Sequence, residues 1–327
     1  MNAEPVSPVT PAEFVGPLAA IAPTPVGDDA QVYVLDSQIG YDIDELIALW
    51  VAARTMNRLI VITSDETRGR RAALARLVLD LLGRPEVPVV AGSELPDSDT
   101  RFLFADYPLP VVPATYTDAA EVVAVHAEHA PTTVIGLGAL TNIAAVLCLH
   151  PHLSEQIQIV LQGGWLDHYR KPDRASHNLH IDQTAAGITL RMAHRPRLVL
   201  STHTNHDRLR LTPDSPLVTW FHTTDTPFAQ LAATYCDRWF ARRPHGSWQA
   251  DSVAVAVALG ARVAQFLTEP ILTGPDARLY RHPTGKLLTV TTSIDHTSFD
   301  HWLARVIPQT RPDNPAAEAI NGGDADR

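Results

Sequence analysis

Short apolar runs alternate along the chain with stretches whose apolar positions recur every three or four residues. The runs at 31–36, 58–63, 87–91, 132–137, 157–161 and 197–201 are apolar at consecutive positions, which predicts parallel strands covered on both faces. Helical spacing fills 44–53, 67–82, 119–129, 141–148 and 183–193. Strands alternating with helices predict an α/β fold: a mostly parallel central sheet, helices on both faces and right-handed crossovers, in one domain over 31–307. Later helices at 227–241 and 251–260 are expected to cap the carboxyl end of the sheet, and a hairpin is expected over 277–292, turning at Pro283-Thr284-Gly285-Lys286. Residues 1–30, rich in Pro, Ala and Val, predict a flexible arm, and the polar stretch 308–327 a flexible tail.

Composition narrows the function classes. Hydrophobic residues make up 45% of the 327 positions and charged residues 19%, a globular balance. The net charge of −10 argues against a nucleic-acid partner, which needs a basic face. Arg68, Arg70, Arg71 and the pair Arg242–Arg243 are expected on solvated helix surface. Cys148 and Cys236 are far apart and form no C-x-x-C, so no disulfide framework is expected and a reducing compartment fits. No apolar run is long enough to span a bilayer, and no basic region precedes an apolar stretch at the start. The expectation is a cytoplasmic protein acting on a small molecule, with no membrane partner.

In such a sheet the ligand lies beyond the carboxyl ends of the strands. The first strand ends at Asp36 and runs through Ser37-Gln38-Ile39-Gly40-Tyr41 to Asp42, Asp44 and Glu45, four carboxylates within ten residues. Helix capping accounts for three of them: Asp42 as N-cap, Glu45 three residues later in a capping box, and Asp44 favoured by the helix dipole. It accounts neither for Asp36 nor for crowded like charges without a nearby cation, which repel unless an ion or a shared proton relieves them. Hard oxygen ligands of this kind suit Ca²⁺ or Mg²⁺ rather than zinc.

The stretch DSQIGYDIDELIAL resembles the N-terminal signature D-T-D-x-G-x-D-x-D-D-A-x-A-L of the inosine–uridine-preferring nucleoside hydrolase family. Further matches follow in order: VITSD (61–65), VPVVAGSELP (87–96), GLGALTNIAAVLCLHP (136–151), IVLQGGW (159–165), NLHIDQTAA (178–186) and ADSVAVAVAL (250–259). Each is weak alone, and the ordered set, spanning about 31–260, is specific.

The resemblance implies hydrolysis of the N-glycosidic bond of a nucleoside over a Ca²⁺ ion at the floor of a ribose pocket, in a homodimer or homotetramer. It implies metal ligation by Gln38, Glu45, the carbonyl of Leu137 and Asp251, and substrate binding by Asp44 and Asn178, with Gln162 and His177 beside them. Asp251 must then approach Glu45 across about 200 residues of sequence. Several positions depart from the family pattern. Gln38 stands where the family has the acid that serves as general base and metal ligand, and an amide cannot take a proton. Glu45 replaces a metal-ligating Asp, Ser176 a sugar-contacting Glu, Ala250 a His, and Asp65 an Asn; Arg170 lies near an expected Asn, and 97–110 lacks the family's H-G-x-x-G-x-G element. Asp36 or Asp65 is the expected substitute for the missing base, with Asp42 also in reach.

Two other readings stay open. Closely spaced His and Asp at 177–182 and 203–207 allow a transition-metal hydrolase, although neither is H-E-x-x-H. A catalytically silent nucleoside- or ribose-binding homologue also fits the eroded chemistry. Trp165, Tyr169, Trp239 and Trp248 are candidates to stack a base or to pack the core. The pair Gly163-Gly164 allows a ligand to approach the backbone or simply a tight turn.

Overall fold

In β1 (Val32–Ser37) every residue is buried, and successive side chains go to opposite layers. Tyr33 and Leu35 join one apolar cluster, Val32 and Val34 the other. β2 (Arg58–Thr63) repeats the split, with Leu59 and Val61 against Ile60 and Ile62. Strands covered on both faces need apolar residues at every position, which is why these runs lack alternation. The computed structural model describes residues 30–110 and 118–307; the expected arm before residue 30 and the tail over 308–327 lie outside the described residues.

β3 (Val89–Ala91), β4 (Thr132–Gly136), β5 (Ile157–Gln162) and β6 (Arg197–Val199) join β1 and β2 in parallel register. β7 (Arg210–Leu211) and β8 (Ser247–Trp248) form a separate antiparallel pair. β9 (Ala264–Thr273), β10 (Leu279–Arg281) and β11 (Lys286–Ile294) complete a nine-stranded sheet of order β10-β9-β11-β6-β5-β4-β1-β2-β3. The helices in chain order are α1 (Ile43–Thr55), α2 (Arg70–Leu81), α3 (Ala119–Ala127), α4 (Thr141–Leu149), α5 (His177–Ile181), α6 (Gln183–Met192), α7 (Ser201–Thr204), α8 (Pro216–Thr223), α9 (Pro227–Arg242), α10 (Ala250–Ala258) and α11 (His296–Val306). Side chains of α1, α2 and α8 to α11 fill one layer, and those of α3, α4 and α6 the other. The fold is thus a mostly parallel α/β sandwich.

The expected hairpin over 277–292 is corrected. β10 and β11 do not pair with each other; each lies antiparallel to β9, which sits between them. β9 escaped the apolar pattern because only Ile271 of its ten residues is buried and Pro270 interrupts the run. The surface assignment of Arg71 is also corrected: its side chain is fully buried and ion-paired with Asp65 at 3.2 Å. Both cysteines are free. Among the described residues no helix is long and apolar enough to cross a membrane.

The chain lays β1, β2 and β3 outward in one direction, then returns to place β4 on the other side of β1. The carboxyl ends of β1 and β4 therefore flank the topological switch point, where the diverging connections leave a crevice. The acidic turn after β1 opens into that crevice.

Candidate active site

The turn is fixed before the helix begins. Gly40 has φ +102°, and a Cβ there would meet the Phe102 ring at 2.4 Å, so the position requires glycine. Its N–H donates to the Tyr235 hydroxyl at 2.5 Å, and its carbonyl accepts from Leu103 N–H at 2.7 Å. Asp42 then caps α1, accepting from Asp44 N–H at 3.5 Å and from the Ser247 hydroxyl. Glu45 reaches back as a capping-box residue does, to Tyr41 N–H at 3.1 Å, and also accepts from Tyr235 Oη at 3.3 Å. Capping and site formation coexist, because the same carboxylates line a cavity.

That cavity has a volume of about 400 Å³, and its floor includes Asp42, Asp44, Glu45, Leu137, Asn178 and Asp251. Asp251 sits in the first turn of α10, and its backbone N–H lies 3.5 Å from Asp44 Oδ2, across 207 residues of sequence. Burial raises the carboxyl pKa of Asp44, Glu45 and Asp251 well above the ordinary carboxylate range. Neighbouring carboxylates push the same way: Asp251 and Asp42 on Asp44, Asp44 and Asp42 on Glu45, Glu45 and Asp42 on Asp251. The charge of Arg71 relieves Glu45 in part. Asp42 is raised by burial too, against the hydrogen bond from Ser247.

Asn178 shows how the floor is held. Its Nδ2 donates to the carbonyls of Leu137 (2.9 Å) and Gln162 (3.1 Å) and to Gln162 Oε1 (2.8 Å). The amide nitrogen is committed to protein, which leaves its oxygen to accept from a ligand hydroxyl. Gln162 and His177 line the same cavity. His177 stacks on Tyr41 at 5.1 Å between ring centroids, and its Nε2 has no protein partner. Burial, then the charges of Arg101 and Arg174, lower its pKa to about 3, so the ring is neutral.

Asp36, Gln38 and Asp65 are not among the residues lining the cavity. Asp36 lies buried at the end of β1, its Oδ1 accepting from Asn142 Nδ2 at 3.0 Å and its Oδ2 unpartnered. Burial pushes its pKa up to about 7. Asp65 accepts from Gln38 Nε2 at 2.7 Å, pairs with Arg71 at 3.2 Å, and takes Arg101 on both oxygens at 2.6 and 2.7 Å. Both of its carboxylate oxygens are thus committed to protein donors.

Calcium, the ion implied by the resemblance, asks for about six to eight oxygens around one point. The donors are of the right kind, and Gln38 Oε1 is buried without a partner. Gln38 itself is turned to Asp65, however, and the Leu137 carbonyl already accepts from Asn178. Among the described residues no three Asp, Glu, His or Cys side chains are arranged to hold a metal ion. The residues as placed do not fit the ion. The histidine clusters at 177–182 and 203–207 form no such group either; His206 stacks on His296 at 4.2 Å and His203 meets Thr291 at 2.9 Å.

Of the candidate stacking residues, Trp165, Trp239 and Trp248 line the cavity, whereas Tyr169 hydrogen-bonds the Leu279 carbonyl. Gly164, at φ +88°, donates to Ser176 Oγ at 2.6 Å, so the glycine pair serves a turn that presents the next loop. Sequence reasoning missed the mouth: Arg170, Lys171, Arg174 and Arg243 all line it. Arg243 was expected on solvated helix surface; it is exposed, but at the cavity rim. The available signal was three cations within five positions of a loop that follows a strand's carboxyl end.

Comparison with known proteins agrees with this architecture. Residues 33–314 match the family model described as inosine-uridine preferring nucleoside hydrolase. A pyrimidine-specific ribonucleoside hydrolase, RihA, of Shewanella woodyi is 28% identical over 221 residues, 62% of this chain and 69% of that protein. RihA of Photobacterium profundum is 29% identical over 175 residues, 48% of this chain and 56% of the relative. A plant nucleoside hydrolase superposes with a TM-score of 0.70 at 17% identity, covering 86% of this chain and 100% of the other. An inosine-uridine preferring nucleoside hydrolase of Bacillus anthracis gives 0.66 at 18%, covering 84% and 98%. The structural matches speak for the fold, and the family model for descent: the chain belongs to the inosine–uridine preferring nucleoside hydrolase family.

Proposed function

We propose that the protein hydrolyses the N-glycosidic bond of a ribonucleoside or related N-ribosyl compound in this cavity. The observation that carries the reading is the convergence of Asp44, Asn178 and Asp251 on one floor, since 207 residues separate the two acids. Asp44 accepts from a ribose hydroxyl and Asn178 Oδ1 from another. As the bond from the anomeric carbon to the base nitrogen breaks, positive charge spreads over the ring oxygen and that carbon. Carboxyl oxygens of Asp44, Glu45 and Asp251 lie beneath it, and their partial negative charge stabilises an oxocarbenium-like transition state more than the neutral substrate. Trp165 and Trp239 offer apolar faces to the leaving base, and the neutral His177 an unpartnered ring nitrogen.

Water attacks the anomeric carbon, its oxygen forming the new bond while the base leaves with the old bonding pair. The water proton needs an acceptor that Gln38 cannot supply. Asp42 is the acid best placed for it: it lines the cavity, whereas Asp36 and Asp65 lie behind. A homodimer or homotetramer is part of the same reading and is tested by sedimentation.

The experiment is chromatographic release of free base from a panel of purine and pyrimidine ribonucleosides, with Asp36→Asn, Asp42→Asn, Asp44→Asn and Asp65→Asn compared. Loss of turnover in Asp42→Asn and Asp44→Asn is expected. Full turnover in Asp42→Asn moves the base elsewhere, and binding without release by the unmodified protein establishes a silent homologue instead.

A further inference from the structure

The cavity is bipolar. Among its lining residues Asp44, Glu45 and Asp251 are buried and Asp42 half-buried, forming the floor, whereas Arg170, Lys171 and Arg243 are exposed and Arg174 half-buried, forming the mouth. Among the described residues none of these four cations makes an ion pair, in contrast to Arg68, Arg71, Arg76, Arg84, Arg101, Arg208, Arg238, Arg278 and Arg281, which all do. Among the described residues no carboxylate, Asp173 of the same loop included, comes within ion-pairing distance of them. Arg174 Nε is buried with no hydrogen-bond partner. Among the described residues the Arg243 side chain hydrogen-bonds the Tyr41 hydroxyl alone, at 3.4 Å.

Their placement is built rather than scattered. Arg170, Lys171 and Arg174 come from the loop between β5 and α5, and Arg243 caps the end of α9 on the facing side. The Arg170 guanidinium lies 4.3 Å over the Trp248 ring, which ties the first loop to the segment between α9 and α10. Stacking uses the face of the guanidinium and leaves its N–H edge free for a planar or tetrahedral anion. Ser176, where the family pattern has a sugar-contacting Glu, also lines this wall, and its hydroxyl accepts from Gly164 N–H. The wall between floor and mouth has therefore lost a carboxylate that would repel an anion on the sugar.

We propose that the preferred substrate is a phosphorylated N-ribosyl compound, of the class of a nucleoside 5′-monophosphate, with its sugar diol on the acidic floor and its phosphate among Arg170, Lys171, Arg174 and Arg243. The inference rests on the reading that the floor holds ribose. A neutral nucleoside uses the floor and leaves the four cations unanswered. A phosphate answers them with up to two charges and three acceptor oxygens, which guanidinium groups match with paired N–H donors.

The test is binding by titration calorimetry to uridine, uridine 5′-monophosphate, ribose 5-phosphate, inorganic phosphate and orotidine, whose carboxylate is on the base. The expected result is at least ten-fold tighter binding of the monophosphate than of uridine at low salt. The ratio shrinks as salt rises, because screening weakens exposed charge pairs. Arg174→Ala and the more exposed Arg170→Ala each bring the ratio toward one, so a folding defect in the first does not leave the question open. Equal affinity for uridine and its monophosphate overturns the inference, as does a preference for orotidine over both. Base release, measured separately, tells the two readings apart. Uridine cleaved without a phosphate advantage sinks only the phosphate site, whereas a phosphate advantage without release of base supports that site and sinks the hydrolase.

Discussion

Gln38 donates its side-chain amide to the carboxylate of Asp65 across 2.7 Å, with both residues fully buried. The family pattern has an acid at the first position and an amide at the second, so here the two functional groups have changed places. Arg71 follows the arrangement, donating to the Gln38 carbonyl at 2.6 Å and pairing with Asp65 at 3.2 Å. Restoring the acid alone, by Gln38→Asp, sets two buried carboxylates side by side and removes the donor; the expected loss is about 2–4 kcal/mol. Asp65→Asn alone strips Arg71 and Arg101 of their counter-charge, at a similar cost of about 3 kcal/mol. The double variant returns the charge within reach of Arg71 and loses less than the sum by at least ~1 kcal/mol. Urea unfolding of the four proteins decides; strict additivity shows that the exchange is not a coupled one.

Asp44→Asn separates stability from binding. The folded state holds this carboxyl pKa well above its unfolded value, chiefly by burial. The folded protein thus keeps a proton that the unfolded chain sheds, and stability falls as pH rises above the ordinary carboxylate range. A neutral amide escapes that penalty. The expected variant melts higher than the unmodified protein at pH 7 and binds ribose at least ten-fold more weakly. A lower melting temperature contradicts the account of the floor.

His177 sets an acid limb with the opposite sign. Its pKa falls from 6.5 to about 3 on folding, so the unfolded chain binds the proton first and stability drops as pH falls below about 6.5. The ring borders a cavity open to solvent, which screens part of the effect, and about 1 kcal/mol is the share expected between pH 6.5 and 5. His177→Gln removes that share; an unchanged slope of stability against pH over this interval refutes it.

Tyr235→Phe probes the support beneath the turn. The hydroxyl accepts from Gly40 N–H at 2.5 Å and donates to Glu45 Oε2 at 3.3 Å. Its removal leaves a buried N–H without a partner, costing about 1–3 kcal/mol. Because the turn carries the acids, affinity for ribose is expected to fall with stability. A thermal melt and a ribose titration on the same variant suffice, and unaltered values in both contradict the role.

Much of the lining of this candidate site is legible in the sequence, for reasons that differ from residue to residue. Asp42, Asp44 and Glu45 announced themselves by crowding at a strand's end, and Asp251 and Asn178 through motifs kept in order. β1 and β2 were plain because strands buried on both faces admit little but apolar residues. β9 was hidden by its exposure, and with it the way β10 and β11 pair. The ion pairing of Arg71 and Asp65 was invisible because a charged side chain next to others reads as surface until its partner is placed. Arg170, Lys171, Arg174 and Arg243 carry no spacing rule at all; only the folded loops bring them to one mouth.

The floor joins the first helix after β1 to α10, which follows 207 residues later. A ribosome delivers these two parts far apart in time. Until α10 has emerged and docked, Asp44 lacks its neighbour Asp251 and the cup is incomplete. On the proposed reading a chain that ends before α10 cannot grip ribose, and recognition of substrate becomes a check that α10 has docked.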